Sequence, residues 1–291
     1  MRFDDDQESD NIEDRRGIVS GGGLGLGAVA LALLAWYFGI DPRMVLNFAS
    51  QTRPVAQQSS GPVRESPEEA KSRHLVGQVL RDTERTWDRV FTAAGRTYEK
   101  PRLVLFRGAT STACGTGEAA MGPFYCPGDR KVYIDLGFYD ELARRFAAPG
   151  EFAQAYVIAH EIGHHVQNLA GISGKVHQAQ QAAGKVERNA LSVRLELQAD
   201  CFAGVWANQA VAAGTLKLEE GDVESAINAA TAIGDDTLQR QAQGRVVPDS
   251  FTHGSSEQRV RWFRRGLEYG KPFSRDKADP QSCNTFGRGS L

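Results

Sequence analysis

The sequence predicts an α+β fold, mainly helical with a small sheet, that follows one N-terminal transmembrane helix. Residues 17–40 contain no charged side chain, and 24 such residues are enough to cross a bilayer as a helix. Farther along, long segments with apolar residues at helical spacing surround two short runs typical of β-strands. The chain has 291 residues and a formal net charge of -2, which shows no basic bias toward nucleic acid.

The predicted membrane span divides the chain into four parts. They are an acidic cytoplasmic tail at 1–16, the transmembrane helix at 17–40, a linker at 41–67 and one globular domain at 68–291. Arg15 and Arg16 adjoin the span, which favours a cytoplasmic N-terminus. A cleaved signal peptide is the alternative, but the preceding 16 residues carry seven acids and three arginines instead of a basic start. The sequence therefore predicts a single-pass protein of the inner membrane whose domain lies in the periplasm.

The spacing of apolar residues assigns the elements of the domain in order. Ser255 and Gln258 form a capping box that opens the last helix, and Gly234 interrupts the helical segment before it. Two strands, at 103–106 and 131–136, precede most of the helices. Helices are predicted at 68–94, 151–170, 186–210, 219–243 and 255–269.

The predicted helix at 151–170 carries His160, Glu161 and His164. Two histidines four residues apart project from one face of a helix, which is how proteins hold a catalytic zinc ion. Glu161 directly follows the first histidine and can accept a proton from water during hydrolysis. Chance is the alternative, but three polar side chains in so apolar a helix are costly to bury unless a metal satisfies them. The pattern predicts metal-assisted hydrolysis with Zn²⁺ as the cofactor.

A catalytic zinc site needs a third protein ligand, and the predicted helix at 186–210 offers one. Glu196 and Asp200 lie one turn apart on the same face of that helix. Glu196 is placed to complete the ligand set, and Asp200 to accept a hydrogen bond from a ligand histidine and fix its tautomer. The alternative is a solvated acidic face. Two other histidines compete as ligands, but His165 points about 100° away from His164, and His177 follows a turn that is typical of the surface.

Three segments resemble the neutral zinc metallopeptidases of bacteria. Residues 160–167 read His-Glu-Ile-Gly-His-His-Val-Gln, 196–204 read Glu-Leu-Gln-Ala-Asp-Cys-Phe-Ala-Gly, and 121–127 read Met-Gly-Pro-Phe-Tyr-Cys-Pro. The metal site is also similar to that of the wider gluzincin group, in which a Glu is the third ligand and an Asp follows four residues later. The resemblance covers nearly the whole chain. It implies a zincin-like domain, a bound Zn²⁺ and a peptide or protein substrate.

In zincin folds the strand nearest the cleft has a free edge that can pair with an extended peptide. The strand predicted at 131–136 is the candidate for this role. The alternative, an ordinary interior strand, is equally compatible with its sequence.

The segment around His253 resembles a Thr-His-Pro-Ser element near the end of membrane-bound gluzincin peptidases. This chain has Gly254 where those proteins usually have Pro. The resemblance implies that His253 belongs to the active site. Its place just before a capped helix also suits a side chain that stabilises a developing oxyanion. A histidine in a surface loop is the alternative.

The chain has four cysteines, an even number that fits two disulfides in an oxidising compartment. Cys114 and Cys126 flank a glycine-rich loop, and a bond between them would close it. A bond between Cys201 and Cys283 would fix the C-terminal segment beside the metal-bearing helix. Four free thiols or a separate metal site are the alternatives, and no Cys-x-x-Cys spacing supports the latter.

These observations predict a membrane-anchored zinc peptidase in which Glu161 is the general base. A zinc-stabilised binding module of the cell envelope and a zinc amidase acting on cell-wall peptides are the alternatives. A structural zinc site would need no base and would use four protein ligands, so Glu161 favours the enzyme. The sequence does not decide the role of the arginines of the last helix, which could approach anionic lipid or pair internally. They are Arg259, Arg261, Arg264 and Arg265.

Overall fold

The computed structural model describes residues 1–17, 63–144, 150–274, 279 and 281–287. Within these residues the chain has the predicted α+β architecture, mainly helical with small sheets. The α-helices are α1 (Pro67–Ala93), α2 (Gly137–Arg144), α3 (Glu151–Leu169), α4 (Ile172–Ala182), α5 (Lys185–Ala212), α6 (Asp222–Ala232), α7 (Asp235–Gln243) and α8 (Ser256–Tyr269). The strands are β1 (Arg2–Phe3), β2 (Ile12–Asp14), β3 (Arg102–Phe106), β4 (Ala109–Thr112), β5 (Gly115–Glu118), β6 (Phe124–Cys126), β7 (Lys131–Asp135) and β8 (Leu216–Lys217).

The largest sheet has the strand order β2-β3-β7-β6. Strands β2, β3 and β7 run parallel, and β6 pairs antiparallel with β7. Leu103 and Leu105 of β3 belong to the main hydrophobic core, whereas Val104 and Phe106 pack into a smaller cluster on the other face. Successive residues of β3 are therefore buried on both faces, as in a sheet covered on two sides.

The strand predicted at 131–136 is not the edge strand. β7 is hydrogen-bonded to β3 on one side and to β6 on the other, so the prediction of a free edge there is wrong and the interior alternative is right. The three residues of β6 form the edge instead. The sequence did not reveal this strand, because it is too short to show an alternating pattern.

Residues 1–16, predicted as a cytoplasmic tail, pack against the domain. β1 pairs with β8, and β2 extends the main sheet by pairing with β3. Arg16 is only 5% exposed, and its Nη1 lies 2.9 Å from the Glu65 carboxylate and 3.0 Å from that of Glu69. Arg16 and Glu65 therefore lie side by side in the domain although they are far apart in sequence.

The predicted localisation, a single-pass protein of the inner membrane with its N-terminus and domain on opposite sides, is contradicted. Among the described residues, no helix has both the length and the apolar character needed to cross a membrane. The span predicted at 17–40 lies outside those residues except for Gly17, as does most of the predicted linker at 41–67. The pairing of β2 with β3 is the physical reason for the correction, because strands that share hydrogen bonds cannot lie on two sides of a bilayer.

Acidic side chains of the N-terminal segment bind a row of basic side chains on α1. Arg73 contacts Glu8 at 2.9 Å, and Arg85 contacts Asp4 at 3.0 Å. Between them, Gly77 lets the segment approach, since a Cβ atom there would lie 2.6 Å from Glu8 Oε2. A glycine inside a helix costs stability relative to Ala, so its presence here fits a helix surface shaped for the segment.

Replacing His74 with Gln should lower the free energy of unfolding at low pH and have little effect at high pH. The His74 ring lies 2.7 Å from Glu8 and 2.8 Å from Asp6. The hydrogen bond to Glu8 raises the pKa of His74, burial opposes it, and Asp6 raises it further. Because its pKa is raised in the folded state, protonated His74 stabilises the fold fully below about pH 6.5, the pKa of an unfolded histidine. This contribution is lost as the pH rises through the folded-state pKa.

Because this ion pair is partly exposed, we expect a difference of about 1 kcal/mol or less. Urea unfolding of parent and variant at about pH 5.5 and about pH 9 measures it. His177→Gln is the control, since His177 is exposed and remote from the N-terminal segment. An equal loss at both pH values would show that the charge on His74 does not hold the segment.

The structure contains both predicted disulfides. Cys114 and Cys126 are bonded at an S–S distance of 2.04 Å, which ties the β4–β5 turn to β6. Cys201 and Cys283 are separated by 82 residues and join α5 to the C-terminal segment. Gln198 Nε2 donates to the Cys283 carbonyl at 2.9 Å, so this segment is held beside the residues that precede Cys201.

Candidate metal centre

Helices α3 and α5 cross closely at the predicted metal site. α3 begins after Gly150, whose φ of 121° suits glycine, and it ends before Gly171, which is left-handed. Gly163 lies between the two histidines, and a Cβ atom there would come within 3.0 Å of the Ala199 backbone. The small residue therefore allows the ligand-bearing faces of the two helices to meet.

The structure brings together the three side chains predicted as ligands, His160, His164 and Glu196. Their ligand atoms all lie within 4.8 Å of one another. His160 Nε2 is 3.2 Å from one Glu196 oxygen, and His164 Nε2 is 3.5 Å from the other. Two imidazole nitrogens and a carboxylate form the donor set typical of a catalytic zinc site with an open position.

The second nitrogen of each histidine is fixed by a hydrogen-bond acceptor. His160 Nδ1 lies 2.7 Å from Asp200 Oδ1, and His164 Nδ1 lies 3.0 Å from Gln167 Oε1. Both acceptors require a hydrogen on Nδ1, so each neutral ring presents the lone pair of Nε2 toward Glu196. Asp200 thus occupies the position predicted for it, and both rings are oriented for metal binding.

Asp200 belongs to a fully buried network that includes Tyr156 and Arg259. The Tyr156 hydroxyl donates to Asp200 Oδ1 at 2.6 Å, while Arg259 donates through Nε at 3.0 Å and Nη2 at 2.9 Å. Burial raises the pKa of Asp200, but Arg259 and His160 outweigh it, so the pKa lies below its ordinary value. The network therefore keeps this carboxylate ionised and rigid beside His160.

Of the four arginines of the last helix, Arg259 is the one that the structure buries in an internal ion pair, whereas Arg261 and Arg264 are exposed. Arg259 pairs with Asp200, and the neighbouring Trp262 and Phe263 are buried. Arg265 stacks over the ring of Trp262 at 4.3 Å. This helix face is part of the domain interior.

The charges around the histidines suit a divalent cation. Burial disfavours the charged form of His160, but Asp200 and Glu196 outweigh it and raise its pKa to about 10. Glu196 likewise raises the pKa of His164 against the effect of burial. The pKa of Glu196 lies well below its ordinary value, because both histidines outweigh burial. A site that attracts protons this strongly provides the negative field that a metal ion needs when it displaces them.

Glu161 lies beside the ligands and lines the same cavity, which has a volume of about 550 Å³. We call it the apolar cavity, because much of its wall comes from Phe124, Phe138, Val157, Ile233 and Leu238. Glu161 is 7% exposed, and burial raises its pKa. A carboxylate that binds protons more readily than usual suits a general base near neutral pH.

His253 also lines the apolar cavity, so the structure brings it to the predicted site. Its Nδ1 lies 3.2 Å from Asp235 Oδ1, and Asp235 Oδ2 accepts from the backbone N–H groups of residues 252–254. No hydrogen bond from Nε2 is seen within the described part of the chain. The hydrogen bond to Asp235 raises the pKa of His253, which favours a ring that can donate from both nitrogens.

The two competing histidines lie away from the ligand cluster. His165 is fully buried, where its Nε2 donates to the Glu99 carbonyl at 2.7 Å and its Nδ1 accepts from the Tyr125 hydroxyl at 3.0 Å. Asn168 Nδ2 donates to the same hydroxyl at 3.0 Å. These bonds fasten the edge strand β6 to α3. His177 is exposed, as predicted from its turn.

Sequence reasoning missed several residues of the site, and only some left a signal. Gln167 lies three residues after His164 on the same helix face, so its spacing could have identified it. Arg259 and Tyr156 come from other parts of the chain. Their roles depend on how helices pack, which no local pattern reports.

The chain matches, over residues 1–286, the family described as Putative neutral zinc metallopeptidase. It belongs to this family. The chain is 50% identical over 301 residues to Uncharacterized protein YpfJ of Escherichia coli strain K12, with 99% of each chain covered. It is 43% identical over 207 residues to Uncharacterized protein Rv2575 of Mycobacterium tuberculosis strain H37Rv, covering 67% of this chain and 65% of that protein. No solved structure gives a significant match.

Proposed function

We propose that this chain is a zinc-dependent peptidase in which His160, His164 and Glu196 hold the metal and Glu161 is the general base. The observation that carries the proposal is the convergence of the three ligands beside a buried carboxylate in one open cavity. A structural zinc site would use four protein ligands and no base. Three candidate ligands come together in the described part of the chain. The Glu161 carboxylate forms no hydrogen bond or ion pair with any described residue.

When bound, zinc polarises a carbonyl oxygen and lowers the pKa of water. Glu161 accepts the proton of the attacking water and passes it to the nitrogen of the leaving amine as the peptide bond breaks. Asp200 and Gln167 keep the two histidines oriented through their Nδ1 atoms. His253 donates a hydrogen bond to the substrate oxygen that gains charge, and Asp235 holds the ring in place.

An extended substrate would lie along β6. This strand is the edge of the main sheet within the described residues, so its outer backbone groups can add another strand. Tyr125 of β6 lines the cavity together with His164 and Glu196, so the strand lies beside the candidate ligands. Pairing with β6 would supply affinity without selecting a particular side chain.

Metal removal provides the direct test of the proposed function. A chelator should abolish hydrolysis of a mixed peptide pool, and stoichiometric Zn²⁺ should restore it, because the site supplies three ligands and needs the ion for chemistry. Mass spectrometry of the products measures the cleavage. Hydrolysis that survives complete metal removal would contradict the proposal.

His253→Ala should lower kcat and kcat/KM together by about 10²- to 10³-fold while the zinc content stays unchanged. The reason is that an oxyanion donor acts mainly in the transition state. Steady-state kinetics and metal analysis on the same preparation provide the measurement. His74→Gln serves as the control, because it removes a histidine remote from the cavity. A near-parent kcat in His253→Ala would show that this side chain has only a structural role. Loss of zinc would show that it binds the metal.

A further inference from the structure

We infer that this chain cleaves internal peptide bonds and prefers a large apolar side chain directly after the cleaved bond. The inference rests on the proposed function and names its substrate class. It follows from the way two cavities meet at the metal centre, from the direction of β6 between them, and from the charges in their walls.

The candidate ligands lie where two cavities join. The second cavity has a volume of about 520 Å³, and it shares Tyr125, His164 and Glu196 with the apolar cavity. We call it the amide cavity, because its wall includes Gln167, Asn168 and Gln180, together with two serines. The cleft therefore continues past the metal centre in two directions, and a peptide bond at that centre has room for chain on either side.

Strand β6 gives the cleft a direction. Phe124 lines the apolar cavity only, Tyr125 lines both cavities, and Pro127, just after the strand, lines the amide cavity only. Antiparallel pairing is the more stable arrangement for an added strand. A substrate antiparallel to β6 runs from the amide cavity to the apolar cavity. Residues before the cleaved bond then lie in the amide cavity, and residues after it lie in the apolar cavity.

Among the described residues that line the amide cavity, no carboxylate is free to bind an α-amino terminus. An enzyme that removes N-terminal residues needs a carboxylate on the side before the cleaved bond to bind the substrate ammonium. The only carboxylate among the described residues of this wall is Glu196, which faces the two ligand histidines. Apart from His177, the polar side chains of the remaining wall are neutral amides and hydroxyls, which suit the backbone of a continuing chain.

Among its described lining residues, the apolar cavity likewise has no lysine or arginine free to bind a terminal α-carboxylate, and the proposed function assigns its His253 to the oxygen of the cleaved bond. Its one arginine among the described lining residues is Arg259, which is 2% exposed and already bound twice by Asp200. The acidic Glu141 in the same wall would repel a terminal carboxylate. A substrate that continues beyond this cavity places no terminal carboxylate there, so it needs no cationic partner and is not repelled by Glu141. The two walls together favour an internal bond over either terminus.

The apolar cavity also selects a side chain. Phe138 and Val157 lie in its wall with Phe124, and no amide side chain is among the described residues that line it. An aromatic or long aliphatic side chain placed after the cleaved bond would be removed from water there. We expect such peptides to be cleaved about 10- to 100-fold faster than peptides with Ala at that position.

A pair of fluorogenic peptides tests the inference on the zinc-loaded full chain. Both have the same sequence with one central Phe, and one is acetylated and amidated at its ends. Similar kcat/KM for the two, with cleavage before the Phe, is the expected result. Release of single residues from the uncapped peptide alone would overturn the inference and leave peptide hydrolysis standing. If neither peptide is cleaved under any metal condition, the proposed function fails and the inference fails with it.

Phe138→Ala tests the selectivity with an internal control. The variant should lose about tenfold or more in kcat/KM for the capped Phe peptide and little for the same peptide with Ala in place of Phe. Because the ratio of two substrates is measured on one preparation, partial misfolding cannot produce it. Tyr269→Ala, which removes an aromatic ring that is 43% exposed elsewhere, should leave the ratio unchanged. An unchanged ratio in Phe138→Ala would show that the apolar cavity does not receive this side chain.

Discussion

Glu161→Gln is expected to keep the zinc and the fold and to lose at least about 10²- to 10⁴-fold in the rate of peptide hydrolysis. The amide has nearly the size of the carboxylate, so the buried position tolerates it. However, it cannot accept the proton of the attacking water. Thermal unfolding, metal analysis and kcat/KM on one preparation measure the three properties separately.

The control for this prediction is Glu220→Gln, which makes the same chemical change at an exposed position. It should retain the parent rate. A parent rate in Glu161→Gln would remove this residue from the chemistry, even though it lines the cavity beside the ligands. Loss of zinc in the same variant would instead indicate that its carboxylate binds the metal.

Glu196→Ala is expected to lose most of its zinc, and Asp200→Ala to bind zinc about 10- to 100-fold more weakly. Glu196 supplies one of three ligands, so its removal leaves two histidines alone. Asp200 acts through His160, whose Nδ1 it holds at 2.7 Å. Its removal also leaves Arg259 buried without its ion-pair partner, so stability should fall as well. Dialysis against competing chelators, followed by metal analysis, measures both affinities.

The comparison variant is Glu187→Ala, an exposed glutamate on the same helix α5. It should bind zinc as the parent does. Full zinc occupancy in Glu196→Ala would mean that another group completes the site. Equal losses in Glu196→Ala and Asp200→Ala would contradict the distinction between a ligand and a residue that orients one.

The sequence alone was sufficient to predict which side chains converge at the candidate metal centre, because they lie on two helices with simple spacing. His160 and His164 are one turn apart, and Glu196 and Asp200 repeat that separation on the second helix. The disulfides and most helix positions were also predictable, since cysteine number and apolar periodicity report them directly. The convergence of the two helices was inferred only from the chemistry that a metal requires.

The N-terminal segment was not predictable in this way. Its acidic residues have the composition of a solvated tail, whereas in the structure they pair with Arg73, His74 and Arg85 on α1. Strand β2 contributes only three residues, and its partner β3 lies far along the chain. Short strands and distant ion pairs leave no periodic signal. The acidic residues therefore looked solvated, because the sequence does not show that basic side chains of α1 neutralise them.

The position of β1 and β2 has a consequence for the order in which the molecule forms. The ribosome makes these strands before their partners, so β2 cannot pair until β3 exists, and β1 cannot pair until β8, which follows α5, has been made. Contacts between distant parts of a chain form slowly, because a long loop must close before they are gained. Until β2 pairs with it, β3 presents an unpaired edge, and unpaired strand edges promote association between chains. Newly made molecules are therefore open to association through this edge until β2 pairs with β3.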